Sequence, residues 1–282
     1  MISRGVRLPR SETNRFYFNS VSMIHFVVPL RSPEVSSNWE QVSTLCNGTL
    51  RSLCNQTSDA FRIYLVCHTP PVRQVQHPNI TTIQVNFDIP GTREEMLVDK
   101  YKKIKRGLVQ IKASGSKSLP SGRYPVMIVD ADDRVHRDVA DWVDSHPEGY
   151  GWYFPKGYIY PYGQPFLFTD TILGSQFHKT CGTSAIVYCE GDDLPDTMKD
   201  DRKKLIMLRC GHNIITDCME ERRTPLKPLP FPGACYVTDT GDNWSGVSWL
   251  RWKGKKKFLR QVISIRPLVS YYRKRFSLTD AP

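Results

Sequence analysis

The sequence predicts an α/β fold: a mainly parallel sheet with helices on its faces, followed by a smaller mixed region. Two observations predict it. Strand-length apolar runs alternate with amphipathic stretches over the first 150 residues in the order β-α-β-β-α-β-α, which is the pattern of a parallel sheet. The runs are apolar throughout rather than alternating, as strands covered on both faces are.

The elements follow in order. Residues 1–22 carry Arg4, Arg7, Arg10 and Arg15 without an apolar segment, and read as a disordered leader, with ordered sequence beginning at Met23. Met23–Leu30 (MIHFVVPL) is a buried strand. Ser37-Asn38-Trp39-Glu40 has the S-x-x-E pattern of a capping box, and Trp39, Val42, Leu45, Leu50 and Leu53 continue at helical spacing to about Cys54. Phe61–Cys67 and Ile80–Phe87 are the next strands, Glu94–Ala113 a lysine-rich helix, and Val126–Val129 a fourth strand running into Asp130-Ala131-Asp132-Asp133. Arg134–Ser145 reads as a short helix. Residues 151–165 are aromatic and broken by Gly and Pro, as short strands are. Thr183–Cys189 is a further strand, Asp200–Leu208 is helical in pattern, and Leu226–Gly233 is a proline loop.

The net charge of +11 is unevenly placed: no acidic residue lies between Asp242 and Asp280, and ten Lys and Arg residues do. No apolar run is long enough to cross a bilayer. The eight cysteines contain no C-x-x-C pair, so a zinc site is not expected, and without an export signal the thiols are expected reduced, with the four N-x-S/T sequons without meaning.

Asp130, Asp132 and Asp133 are the principal candidate site. Carboxylates crowded at a strand end repel one another unless a cation compensates, and oxygen ligands suit Mg²⁺ or Mn²⁺. One aspartate would suffice to cap the following helix. An aspartate-nucleophile phosphatase or phosphotransferase is a rival reading. Such enzymes carry a small residue where this chain has Arg134, and their motif follows the first strand.

The segment Ile128-Val129-Asp130-Ala131-Asp132-Asp133 resembles the strand and DxD motif of GT-A fold glycosyltransferases. Phe26–Arg31 is similar to their first strand and nucleotide loop, Leu50–Thr57 to the end of their first helix, and Arg62–His68 to their second strand. The resemblance spans Ile24–Pro147. It implies a GT-A-like, Rossmann-type sheet in residues 23–150 that binds a nucleoside-diphosphate sugar, an acceptor-binding half in 151–245, and a basic segment in 246–282. It implies that Asp130 contacts the ribose or the metal, that Asp132 is the principal metal ligand, and that Asp133 assists from behind or binds donor sugar. Pro29, Leu30 and Arg31 would border the base. An acidic residue that often follows the family's second strand is replaced here by Cys67-His68, so His68 takes that place. His212 in Gly211-His212-Asn213 is the candidate for a late metal-ligating histidine, ahead of His178. A general base, needed if the reaction inverts configuration, is expected at Asp192 and Asp193, ahead of Glu190, Asp217, Glu220 and Glu221.

Gly241–Gly246 has the look of a lid over the donor. The basic stretch 251–275, interleaved with aromatics, suits an anionic membrane surface where lipid-linked acceptors reside, and glycans are the other acceptor class. Nucleic acid is not an expected partner, because no recognised binding motif is present. The expected location is cytoplasmic, peripheral on the inner face of a membrane. A non-catalytic sugar- or membrane-binding protein on the same fold is the remaining alternative.

Overall fold

The computed structural model describes residues 22–115, 119, 121–169, 176–201, 205–241 and 263–278. The expected leader up to residue 21, the segment from 242 that contains most of the expected lid, and basic residues 251–262 lie outside the described residues.

Among the described residues, two sheets carry the fold. The first has seven strands in the order β10-β6-β9-β4-β1-β2-β3, where β1 is Ile24–Pro29, β2 Phe61–Cys67, β3 Ile80–Gln84, β4 Tyr124–Ile128, β6 Gly151–Tyr153, β9 Ala185–Cys189 and β10 Lys227–Pro228. Strands β1, β2, β3 and β4 are mutually parallel, while β9 runs antiparallel to both β4 and β6. The second sheet, in the order β12-β8-β7-β11-β5, is built from β5 (Arg134–Val135), β7 (Tyr158–Pro161), β8 (Phe166–Thr169), β11 (Ala234–Thr238) and β12 (Ile265–Pro267). Strands from the 151–245 region thus complete the first sheet as well as forming most of the second.

Helix α1 (Trp39–Cys54) and α3 (Val139–Ser145) cover one face of the large sheet. Helices α2 (Arg93–Ala113), α5 (Ile206–Arg209) and α6 (Ile215–Glu221) cover the other. Two further short helices are α4 (Phe177–Thr180) and α7 (Ser270–Phe276). The period-two geometry of a strand explains the unbroken apolar runs. Phe26 and Val28 of β1 pack with Leu50 and Leu53 of α1, while Val27 packs with Ile104 and Leu108 of α2. Gly107 lets α2 approach closely, since a Cβ there would stand 2.6 Å from Val27. Gly151 begins β6 at φ +125°, and a Cβ there would meet the Ile186 carbonyl oxygen at 2.1 Å, so only glycine serves.

Several expectations are corrected. The α1 cap is Asn38, which accepts from Gln41 N, rather than Ser37. Residues 134–145 are not one helix: Arg134 and Val135 pair with β11 before α3 begins. The pairing wins because Arg134 is wanted inside the protein, where it is 1% exposed. Within the expected proline loop, Lys227 and Pro228 form a short parallel pairing with β6. Two cysteines are not free thiols. Residues at the end of α5 and within α6 bring Cys210 and Cys218 together in a disulfide, while Cys46, Cys54, Cys67, Cys181, Cys189 and Cys235 are unpaired. No helix among the described residues is long and apolar enough to cross a membrane.

Candidate functional site

Chain order makes a crevice at one place in the large sheet. From β1 the chain moves through α1 to β2 and β3 on one side, then returns through α2 to β4 on the other side of β1. The connections therefore diverge between the carboxyl ends of β1 and β4, the switch point at which open α/β sheets bind ligands. A cleft of about 270 Å³ lies there. Pro29, Leu30 and Arg31 line it after β1, and Asp130, Ala131 and Asp132 after β4. Met96, Leu97, Asp99, Lys100 and Lys103 come from α2, and Thr180, Gly182, His212, Tyr236 and Thr240 close the far side. With Val35, Val42, Leu45 and Pro90, one part of the wall is apolar, and the acidic loop forms another.

The acidic loop is held from several directions. Asp130 N donates to Thr183 Oγ1 at 2.9 Å, and Asp133 N donates to the Asp130 carbonyl at 3.1 Å, closing a turn. The Arg134 guanidinium reaches back, donating to the Asp132 carbonyl at 2.9 Å and, across to α1, to the Leu45 carbonyl and Thr49 Oγ1, both at 3.2 Å. Gly182 stands so close to Asp130 that a Cβ would lie 2.5 Å from Oδ2.

The three aspartates have different environments. Asp133 is fully buried; its carboxylate accepts from Val237 N at 3.0 Å and from Cys181 Sγ at 3.3 Å, and burial pushes its carboxyl well up. It ties the acidic loop to β11 and faces away from the cleft, which corrects its expected contact with a donor sugar. Asp132 lines the cleft, and burial first, then the Asp130 charge, raises its carboxyl from 3.8 to about 6. Asp130 lies in an ion pair with Lys100, Nζ to Oδ1 2.5 Å. Burial works against the Lys100 charge, but the attraction of Asp130, with Asp132 and Asp133, outweighs it and leaves Lys100 pushed up. The sequence argument that crowded carboxylates require a cation is thus met in part by the chain itself.

Pro29, Leu30 and Arg31 border the cleft, and His212 lies at its rim. Burial first, then Lys100, lowers the His212 pKa against the opposing pull of Asp130. Among the described residues, no three His, Cys, Asp or Glu side chains converge to hold a metal ion by themselves, so Asp130, Asp132 and His212 share a cleft without forming a closed ligand set. His68 does not line the cleft. It sits behind Asp99, 3.9 Å from Oδ1, with Nε2 3.1 Å from the Phe87 carbonyl. His178 is buried against the Tyr153 ring, 4.8 Å between centroids.

Asp192 and Asp193 are not brought to the cleft either. Because β9 is antiparallel to β4, with Cys189 opposite Tyr124, the residues after β9 emerge beyond the amino end of β4, at the opposite end of the strands. There Asp193 pairs with Arg222, and both aspartates line a separate depression with Arg209 and Glu221.

Sequence reasoning missed Lys100, Gly182 and Thr183. A signal for the first existed: Met96, Asp99, Lys100 and Lys103 share one helical face, and that face meets the carboxyl end of the sheet. The other two lie in a loop whose approach to Asp130 is long-range.

Replacing Gly182 with alanine tests the packing of the site. The obstructing atom is the end of a side chain, so the fold can accommodate the methyl group by turning the Asp130 carboxylate aside. Little change in melting temperature is expected, with an about tenfold weaker grip on any ligand that Asp130 holds, roughly one lost charge-assisted contact. A calorimetric titration matching wild type would show that Asp130 need not be fixed there.

No protein-family model and no curated protein matches the chain.

Proposed function

We propose that the protein transfers a sugar from a nucleoside diphosphate to a hydroxyl acceptor, assisted by a divalent cation. One observation carries the reading: Asp130 and Asp132 stand together at the end of β4, in the switch-point cleft, beside an apolar wall supplied by Leu30, Val35, Val42 and Leu45. Mg²⁺ needs only one or two protein carboxylates when phosphate oxygens complete its shell, so two aspartates without a third ligand fit Mg²⁺, or Mn²⁺ with similar oxygen preference. Asp132 fits this role further: burial and the Asp130 charge raise its carboxyl to about 6, so its ionised form lacks a compensating charge that a divalent ion would supply. Bound there, the ion would supply charge neutralisation for a departing diphosphate.

The chain's own residues do the rest. The apolar wall takes the flat base and excludes water around it. Arg134 fixes the backbone of the acidic loop, so the carboxylates need little reorganisation. With Asp192 and Asp193 away from the cleft, His212 is the imidazole among its lining residues. Its lowered pKa keeps it neutral, able to serve the ion or an acceptor hydroxyl. Exposed Ile263, Val269 and Tyr271, with exposed Lys274, fit a location against an anionic membrane and a lipid-linked acceptor.

A thermal-shift screen of nucleoside diphosphates and their sugars, with and without Mn²⁺, tests the reading. A ligand present at 100 times its Kd should stabilise by about 2.7 kcal/mol, which raises the melting temperature by several degrees. No metal-dependent shift with any nucleotide would remove the donor assignment.

A further inference from the structure

We propose that Lys100 is a built-in counter-ion of the site, which holds Asp130 until a divalent ion displaces it and then turns to the diphosphate of the donor. The inference rests on the function proposed above and deepens it by giving α2 a direct part in binding.

The ammonium group lies 2.5 Å from Asp130 Oδ1, and the Lys100 side chain is 40% exposed, facing the cleft rather than locked in the core. Its neighbour Lys103 makes the contrast. That residue is 1% exposed, with Nζ donating to Asp99 Oδ2 at 2.6 Å and to the Leu30 carbonyl at 2.8 Å, so it is tied into the wall. Lys100 has one such tie. An ammonium group has three N–H donors, and among the described residues Asp130 takes one, leaving the others to the open cleft.

A divalent ion and an ammonium group on one carboxylate oxygen repel each other and divide its charge. A divalent ion approaching Asp130 therefore meets Lys100 at Oδ1, and the other oxygen is hemmed in by Gly182. An ion arriving with a diphosphate resolves the conflict: the flexible lysine stem swings its charge from the carboxylate to a phosphate oxygen, which suits a compact, rotatable point charge. The exchange keeps the Asp130 and Lys100 charges paired before and after binding. It predicts an affinity for divalent ion alone lower than two nearby carboxylates would give, and a strong mutual dependence of ion and diphosphate, since each relieves the other's cost.

The test uses Mn²⁺ alone and inorganic pyrophosphate as probes, by calorimetry on the full chain, comparing wild type with Lys100→Met. Mn²⁺ alone should bind the variant about tenfold more tightly, because its competitor has gone. With Mn²⁺ bound, pyrophosphate should bind the variant about tenfold or more weakly than wild type, as the loss of a charge-assisted contact requires. A lysine serving only to brace the fold would not tighten metal binding. Equal Mn²⁺ affinity in the two proteins overturns the proposal. Should the variant fail to fold, wild type decides: pyrophosphate must tighten Mn²⁺ binding, and an Mn²⁺ affinity unchanged by pyrophosphate overturns the proposal. If nucleoside diphosphates bind with Mn²⁺ while Lys100→Met leaves both probes unchanged, the lysine inference falls and the transferase reading stands. If wild type binds no nucleoside diphosphate, both fall.

Discussion

Asp132→Asn is expected to give a protein that is more heat-stable than wild type at pH 8 and has lost roughly 10³-fold or more in transfer rate, the several kcal/mol that a metal contributes to charge stabilisation. Both effects come from one side chain. Burial and the Asp130 charge raise the folded-state pKa of Asp132 from 3.8 to about 6, so its contribution to stability is fully present below the unfolded value and is lost as pH rises through about 6. Wild type at pH 8 therefore carries an ionised, poorly solvated carboxylate that costs about 1–3 kcal/mol. Asparagine keeps the shape and removes that cost, but cannot offer a charged oxygen to a cation. By the same linkage, Mn²⁺ binding to wild type should strengthen between pH 5 and 7, and the variant should show no such rise. Melting curves at pH 5 and 8, with and without Mn²⁺, measure all of this. A variant that melts lower at pH 8, or that retains metal-dependent binding, would count against Asp132 as ligand.

Arg134→Met should be the most destabilising of the substitutions considered, by about 3–5 kcal/mol, the usual cost of removing one member of a buried charged network. The guanidinium is 1% exposed and supplies hydrogen bonds to carbonyls on two separate pieces of chain, the acidic loop and α1. Methionine fills much of the volume but leaves those carbonyls without donors. Arg134 also lowers the Asp132 carboxyl, so its loss should raise the pH at which that group ionises. Urea unfolding measures the difference, and a loss under about 1 kcal/mol would mean that water takes over the guanidinium's bonds.

The parallel half of the fold was legible because its signals are local. Phe61–Cys67 has its expected bounds as β2, and α2 begins one residue from its expected start because Thr92 and Glu95 form a capping box around it. The acidic loop was legible as a site because it follows a buried strand. What escaped was set by contacts between distant residues. Nothing near Asp192 reveals that β9 runs antiparallel, yet that direction alone takes Asp192 and Asp193 to the wrong end of the strands. Three adjacent aspartates look equivalent in sequence, yet Val237 N and Cys181, both far along the chain, turn Asp133 inward. The partner of Asp130 is Lys100, which shares a helical face with Met96, Asp99 and Lys103, but only the packing of α2 brings that face to the carboxyl end of the sheet.

The pairing of β4 with β9 also bears on how the chain is made. Until residue 189 has left the ribosome, β4 is the bare margin of a four-stranded parallel sheet, with Val126 and Met127 lacking a partner on that side. Such a margin invites association with other nascent chains. Synthesis paused shortly after residue 150 should therefore yield aggregation-prone fragments, and supplying the missing segment as a separate polypeptide should rescue them.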